Sequence, residues 1–170
     1  MRKITQNYLK NVLSYDPETG AFTWKDRASW PKFMNSRLAG KQAGCVNTAG
    51  YIVIRLHEKL YLAHRLAWLY MMGTWPEEEI DHKNSIKSDN RFKNLRKATH
   101  AQNKYNCGLS RRNKSGFKGV SWSKAMKKWH AQIVIKGQYF NLGYFTEPEK
   151  AHQAYMKKSN AHHGEYSRAA

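Results

Sequence analysis

The chain has few cysteines, few acidic residues and no long apolar run. Its two cysteines, Cys45 and Cys107, lie far apart and form no Cys-x-x-Cys pair. A structural zinc site is therefore not expected, a disulfide is not expected in a reducing compartment, and both thiols should be half-buried. No stretch approaches the ~20 apolar residues of a membrane span, and the basic N-terminus lacks an apolar signal core. These absences predict a soluble, cytoplasmic protein that does not bind membranes.

Acidic residues are outnumbered throughout: twelve Asp and Glu face thirty Lys and Arg, which gives a formal net charge of +18. Between residues 90 and 146 there is no acidic residue, whereas thirteen Lys or Arg fall there. This excess predicts a polyanionic partner, with nucleic acid favoured over an anionic membrane. Aromatic and strand-forming residues interleave the basic ones, so we expect a folded surface that faces DNA rather than a disordered tail.

Local signals in the first half predict a mixture of helices and strands. Thr5 has the properties of an N-cap for a helix that ends near Ser14, and a short strand should follow at 21–24. Residues 25–49 show no clear period and are predicted to form a long loop. A hairpin is expected from strands 51–56 and 60–63, followed by a helix over 64–72 that Gly73 stops.

Asp81, His82, Asn94 and Asn103 fall within 23 residues and suit phosphodiester hydrolysis. That reaction needs a cation on the scissile phosphate and a base that takes a proton from water. Asp81 and Asn103 offer hard oxygen ligands suited to Mg²⁺, and His82 titrates near neutrality, as a base should.

The secondary structure predicted around these residues would bring the two oxygen ligands together. A first strand should end at Asp81-His82, and residues 94–98 should start the return strand. The pattern Thr99-x-x-Gln102 is a capping box that begins a helix and places Asn103 in its first turn. The Asn103 amide can then face the end of the first strand, where Asp81 lies.

The run from Glu79 to Asn84, the run from Asp89 to Arg96, and Ala98-Thr99 with Gln102-Asn103 closely resemble the HNH endonuclease family, in its phage and intron-encoded homing branch. The resemblance implies a ββα-metal core at about 77–107, with Mg²⁺ or Mn²⁺ bound by Asp81 and Asn103. It also implies His82 as the base, with Asn94 holding it through a hydrogen bond. Arg91 and Arg96 are candidate DNA contacts, whereas His64, in the preceding element, is expected to be a packed structural residue.

The C-terminal third predicts three strands and one helix. Its motifs are Phe117-Lys118-Gly119-Val120, Lys128-Trp129-x-Ala131-x-Ile133 and Leu142-Gly143-x-Phe145, followed by a helix opened by Thr146-x-x-Glu149. They resemble the plant APETALA2 or ethylene-response-factor DNA-binding domain over about residues 115–165. A three-stranded sheet fits the major groove, and the candidate DNA contacts are Lys118, Ser121, Lys124, Lys128, Gln132 and Lys136.

The resulting hypothesis is an α+β protein with an HNH nuclease domain at 1–108, a linker at 109–116 and an APETALA2-like domain at 117–170. It would be a metal-dependent DNA endonuclease of the phage homing type, acting on double-stranded DNA in a bacterial host as a monomer or weak dimer. The alternative is a non-catalytic DNA-binding protein or regulator that keeps the HNH scaffold only as structure. An RNA-binding protein is a third possibility, which the positive charge alone does not exclude.

Overall fold

The computed structural model describes residues 4–110 and 112–168, and it divides the chain into two compact units, Met1–Thr99 and His100–Ala170. The helices are α1 Gln6–Val12, α2 Lys32–Leu38, α3 Ala63–Met72, α4 His100–Asn106 and α5 Pro148–His163. The strands are β1 Leu13–Tyr15, β2 Phe22–Trp24, β3 Cys45–Val46, β4 Ile52–Leu56, β5 Lys59–Leu62, β6 Glu79–His82, β7 Leu95–Ala98, β8 Val120–Ser123, β9 Lys128–Ile135 and β10 Gln138–Phe145.

The start of the chain forms a capped helix followed directly by a strand. The Thr5 hydroxyl accepts a hydrogen bond from the Tyr8 amide, so the predicted N-cap is confirmed. The helix ends at Val12, earlier than predicted, because Leu13–Tyr15 pairs antiparallel with β2. Leu9, Val12 and Leu13 are all fully buried, which is why these residues read as a single apolar helix face.

The prediction of a long loop over 25–49 is wrong in part, because α2 and the short strand β3 lie within it. α2 buries none of its residues and has no side-chain N-cap, which explains why no helical period of apolar residues marks it. The hairpin β4–β5 is confirmed. His57 and Glu58 at its turn both have positive φ, as a two-residue type I′ turn requires.

α3 begins at Ala63 and ends where Gly73 adopts the left-handed conformation, with φ of 79°, as predicted. Its buried face of Leu66, Ala67 and Leu69 packs in one core with residues of α1, β2 and β4. Ile80 of β6 and Leu95 of β7 belong to the same core, so the hairpin that carries the candidate site rests on the main hydrophobic cluster of its unit.

The C-terminal unit contains the predicted antiparallel sheet, in the order β10-β9-β8, and its helix α5. Ala131 and Ile133 of β9 are buried with α5 residues Ala151 and Tyr155. α5 begins at Pro148 with Glu147 as its N-cap and no side-chain cap, so the expected opening at Thr146 is wrong. A Cβ on Gly119 would lie 2.0 Å from the Tyr155 ring, so this position needs glycine for close packing.

The structure divides the chain between Thr99 and His100, whereas the sequence suggested a linker at 109–116. Arg111, in that stretch, lies outside the described residues. The side chains of Asn113 and Ser115 donate hydrogen bonds to the Phe117 carbonyl, and Ser115 also donates to that of Val120, so this segment is tied to the start of β8.

Two further observations concern the cysteines and the helices. Cys45 and Cys107 are both exposed, so the expectation of half-buried thiols is wrong: Cys45 lies in the two-residue strand β3, and Cys107 follows the last residue of α4. Within residues 4–110 and 112–168, no helix combines the length and apolar character needed to cross a membrane.

Candidate active site

The candidate site lies on the two-stranded hairpin of β6 and β7. The strands pair antiparallel, with Asp81 opposite Arg96 and His82 opposite Leu95. Asp81 and His82 are each only 4% exposed, although both are polar. Burying a polar group to this degree costs folding free energy unless the group is hydrogen-bonded or paired. The partners of Asp81 and His82 therefore determine which chemistry the site can perform.

Asp81 is paired across the hairpin with Arg96. The guanidinium Nε lies 2.9 Å and Nη2 2.8 Å from Asp81 Oδ2. Both side chains are buried in this ion pair, whereas the sequence predicted a DNA contact for Arg96. The reason is the strand register: it sets Arg96 directly opposite a buried carboxylate, which needs a cation to compensate its lost hydration.

His82 has a hydrogen-bond partner in Asn90. Its Nε2 lies 3.1 Å from Asn90 Oδ1. Because an amide oxygen only accepts, Nε2 carries the proton in this arrangement and Nδ1 carries the lone pair. Asn90 is 1% exposed, and its Nδ2 has no hydrogen-bond partner among the described residues. The Asn90 side chain therefore holds the His82 ring in one tautomer.

A second histidine packs against the first. The His64 ring lies edge-on to that of His82, with centroids 4.9 Å apart, and Tyr51 contacts both rings. Burial, with smaller contributions from His82 and Arg65, lowers the pKa of His64 to about 3. His64 is therefore neutral at physiological pH and buried, which confirms that it is packed and adds that it packs within the site.

Burial also lowers the pKa of His82, and this effect outweighs the hydrogen bond that His82 donates to Asn90 and the nearby Asp81 carboxylate, both of which raise the pKa. His82 is therefore neutral near pH 7. A general base must be unprotonated to accept a proton, so the imidazole is in the form that such a role requires.

Asn94 braces the loop between the two strands. Its Nδ2 donates to Asn84 Oδ1 and to the Asp89 backbone carbonyl. Its Oδ1 accepts from the backbone N–H of Asn84. Asn94 had been expected to hold His82 directly, but Asn90 occupies that position. The difference arises because Asn94 ends a 3-10 helix (Phe92–Asn94), from which its amide faces residues 84–89.

The carboxylate of Asp89 ties the same loop together. It accepts hydrogen bonds from the side-chain amide of Asn84 and from the Arg91 guanidinium. These contacts, led by Arg91, lower the pKa of Asp89 to about 2 despite an opposing effect of desolvation. Arg91, a predicted DNA contact, is half-exposed, so it supports the loop while part of its side chain remains accessible.

Strand β1 and the turn after it contact the loop around Asn90. The Tyr15 hydroxyl donates to the Asn90 carbonyl at 2.6 Å, and the Phe92 amide donates to Pro17. Gly20, with φ of 75°, approaches so closely that a Cβ would lie 2.4 Å from the Arg91 nitrogen. The segment that positions His82 thus depends on a turn about 70 residues earlier in the chain.

The remaining predicted ligand, Asn103, lies in the first turn of α4, directly after Thr99, as predicted. α4 groups with the C-terminal unit, whereas Asp81 lies in the N-terminal one. Among the described residues, no cluster of three or more His, Cys, Asp or Glu could hold a metal ion. A carboxylate such as that of Asp81 suits a hard cation that takes its other ligands from substrate phosphate and water, as Mg²⁺ commonly does.

The predicted DNA contacts of the C-terminal unit fall into three groups. Lys118, a predicted DNA contact, is half-buried and donates to the Tyr105 and Cys107 carbonyls at the end of α4. Ser121 and Gln132 alternate with the buried residues of their strands and lie on the sheet face opposite α5. The exposed lysines lie in turns or at a strand end: Lys124, Lys128 and Lys136.

Aromatic and amide side chains, rather than arginines, cover this outer sheet face. The Tyr139 hydroxyl donates to Gln132 Oε1 at 2.7 Å, and His130 stacks on Tyr144 with centroids 4.7 Å apart. Arg–guanine pairs are therefore not offered by the middle of the sheet. Positive charge comes instead from the lysines at its ends.

Comparison with known proteins defines the class of the hairpin segment. Residues 61–105 match the family model described as HNH endonuclease, and this segment contains His64, Asp81, His82, Asn94 and Asn103. A domain of this class indicates a nuclease or DNA-binding function, with DNA as its substrate, and such nucleases generally use a divalent metal. The match covers about a quarter of the chain.

A particular relative is Protein 3.8 of Escherichia phage T7. It is 31% identical to this chain over 80 residues, which cover 46% of this chain and 66% of that protein. The relative thus extends beyond the matched region, and its name assigns no activity. No solved structure matches the chain significantly.

Sequence reasoning missed the roles of Asn90, Tyr51 and Gly20. Asn90 falls inside the run that resembles the HNH family, but its contact with His82 depends on how the loop folds back. Tyr51 precedes β4 and reads as an ordinary strand aromatic. Gly20 ends an Asp-Pro-Glu-Thr-Gly sequence typical of a turn, but nothing in that local pattern indicates its close approach to Arg91.

Proposed function

We propose that this protein is a metal-dependent DNA endonuclease of the HNH type that hydrolyses phosphodiester bonds. The observation that carries the proposal is the pair Asp81-His82 within an HNH-matching segment. There a buried, neutral imidazole is oriented by Asn90 beside a carboxylate. An imidazole fixed in one tautomer next to a hard oxygen ligand is what water activation at a phosphate requires.

His82 is the proposed general base. With Nε2 held by Asn90, Nδ1 takes the proton from the water that attacks phosphorus. His64 and Tyr51 pack against the ring and hold it in place. Asn94 acts indirectly, because it fixes the loop that carries Asn84 and Asp89.

Asp81 and Asn103 are the proposed ligands of Mg²⁺ or Mn²⁺, with Arg96 orienting the Asp81 carboxylate through Oδ2. When bound, the cation would stabilise the charge that develops on the leaving 3′ oxygen. The expected products carry 5′-phosphate and 3′-hydroxyl ends.

The C-terminal unit is proposed to hold double-stranded DNA in the manner of an APETALA2-like module. Its three strands and helix support this proposal, as does the outer face that carries Ser121 and Gln132 between the exposed lysines. Lysines attract phosphates without reading bases, so we expect salt-sensitive binding with modest base specificity. The proposed setting is the cytoplasm of a phage-infected bacterium, with the chain acting as a monomer or weak dimer in a homing-type role.

One observation favours the alternative, a non-catalytic DNA-binding protein on an HNH scaffold. Asp81 is buried in an ion pair with Arg96, and a carboxylate neutralised in this way can serve structure alone. The two functions differ in one measurable respect, which is whether the chain cuts DNA when supplied with a divalent cation.

The experiment is incubation of supercoiled plasmid with the full chain in Mg²⁺, in Mn²⁺ and in excess EDTA. An Asp81→Asn variant tests the ligand, and Asp26→Asn, which removes an exposed carboxylate outside the site, is the matched control. The proposal expects nicked or linear plasmid only with a divalent cation, with Asp81→Asn impaired and Asp26→Asn active. Intact plasmid under all metal conditions, together with normal DNA binding, would favour the scaffold function.

A further inference from the structure

A second polar and aromatic cluster lies in the N-terminal unit and shares no residue with the β6–β7 site. It surrounds a cavity of about 250 Å³. Ligand pockets for drug-sized molecules span roughly 300–1,000 Å³, so this cavity suits a smaller planar group. Its lining has no acidic residue and includes Tyr8, Trp24, Arg27, Trp30, Arg55 and His57.

The rings and cations of this cluster are already arranged in pairs. Tyr8 stacks on His57 with ring centroids 4.5 Å apart. Trp24 and Trp30 lie 5.6 Å apart, and the Arg27 guanidinium carbon lies 4.5 Å from the centre of the Trp30 ring. Tyr8, Trp24 and Trp30 are half-buried and His57 is exposed, and Tyr8 and Trp24 also pack against the main hydrophobic core.

The backbone that presents these groups is fixed by hydrogen bonds. The Asn35 side chain accepts from the Arg27 amide and donates to the Arg27 carbonyl. Trp24 exchanges backbone hydrogen bonds with Gly40 and Lys41. The segment 25–31 is therefore a braced loop, and the cluster is formed before any ligand arrives, which lowers the entropy cost of binding.

We propose that this cluster binds one unpaired nucleotide of a DNA strand, with the base against the tryptophans and the phosphate near Arg27 and Arg55. Aromatic faces accept any base by stacking, and arginines attract the backbone. The phosphates of a duplex could bind the arginines, but they would not stack on the aromatic rings. The site goes beyond the proposed cleavage function, since binding here needs neither Asp81 nor a divalent cation.

The test is photo-crosslinking of the full chain, in EDTA, to short oligothymidylates that carry 5-iododeoxyuridine, with the crosslinked residues mapped by mass spectrometry. We expect crosslinks at Trp24 or Trp30, and a matched duplex should compete poorly for them. An abasic oligonucleotide of the same length should also compete poorly. Crosslinks confined to other residues, or equal competition by the abasic strand, would overturn the proposal.

Variants then separate the role of the ring from that of the charge. Arg27→Gln keeps the backbone contacts to Asn35, so the fold should persist while crosslinking at the tryptophans requires more oligonucleotide. Lys41→Gln, which removes an exposed charge outside the lining, is the matched control and should behave as wild type. Equal effects of the two changes would mean general electrostatic attraction and would contradict a built site.

Stacking is tested at Trp30. Trp30→Leu should raise the oligonucleotide concentration that gives half-maximal crosslinking at Trp24 by roughly 5- to 150-fold. Trp30→Phe should retain most of the wild-type binding. If Trp30→Leu does not fold by circular dichroism, Trp30→Phe and Arg27→Gln still decide the matter. The assay contains no divalent cation, so a failure here is distinguishable from a failure of the cleavage proposal, which plasmid nicking measures separately.

Discussion

Nε2 of His82 lies 3.1 Å from Oδ1 of Asn90, and both side chains are almost completely buried. The contact spans the loop between β6 and β7, so it links the orientation of the proposed base to the fold of residues 83–94. Tyr15 of β1 and Gly20 in the turn after it both contact that loop. The chemistry proposed for His82 therefore depends on packing that begins near the start of the chain.

Replacing Asn90 with Ala should lower kcat for DNA cleavage by about 10- to 100-fold, by analogy with the loss of hydrogen-bond partners that orient metal-ligating histidines. KM should change little, because Asn90 is buried and does not face DNA. Single-turnover cleavage at saturating enzyme measures the effect. A rate equal to that of wild type would mean that Asn90 does not orient the base.

Gly20→Ala should destabilise the fold by more than about 1 kcal/mol, since alanine is strained at positive φ and its Cβ would collide with Arg91. Gly40→Ala is the matched control, because Gly40 has the same φ of 75° and nothing within 4 Å of the added carbon. Urea denaturation of the two variants isolates the collision. Equal losses of stability would show that the close approach at Gly20 is not required.

The parts of the fold that could be predicted are mostly those set by local sequence signals. The Thr5 cap, the Gly73 stop and the β4–β5 hairpin depend on neighbouring residues, and the structure contains all three. β1 was missed because its residues continue the apolar face of α1, and only pairing with β2 makes them a strand. α2 was missed because a helix with no buried residue leaves no period in the sequence.

In the candidate site, too, the positions of residues along the chain could be predicted, whereas their long-range contacts could not. The sequence pattern placed Asp81 and His82 at the end of a strand and Asn103 in the first turn of a helix, as the structure has them. The partners of these side chains could not be predicted, because they depend on strand register and on loop folding. Register sets Arg96 opposite Asp81, and the loop brings Asn90 rather than Asn94 to His82.

Arg96→Met should cost about 3–5 kcal/mol of stability, because it leaves the Asp81 carboxylate buried without its cation. If Arg96 instead contacted phosphate, its loss would lower the salt slope of DNA binding by ~0.9 with little change in stability. Lys97→Met, at the next position of the same strand and exposed, is the control. Thermal unfolding and salt-dependent binding of both variants distinguish the two roles.

Asp89 should make the stability of the loop depend on pH. Its pKa falls from 3.8 to about 2 in the folded chain, chiefly through Arg91. Because the folded pKa is the lower one, the contribution is present above about pH 4 and declines as pH falls toward 2. Asp89→Asn should therefore lower Tm at pH 5 more than at pH 3. A difference in Tm that is constant over this range would contradict the Arg91 pairing.

The role of His82 is tested most directly by single-turnover cleavage of plasmid DNA in Mg²⁺ by wild type and His82→Ala, with DNA affinity measured in parallel. His82→Ala should lower the rate by ~10²–10⁴-fold, as is typical of a missing general base, and leave the affinity nearly unchanged. His162→Ala, which removes an exposed histidine of α5, should leave both quantities unchanged. Cleavage by His82→Ala at the wild-type rate would contradict the assignment of this residue as the base.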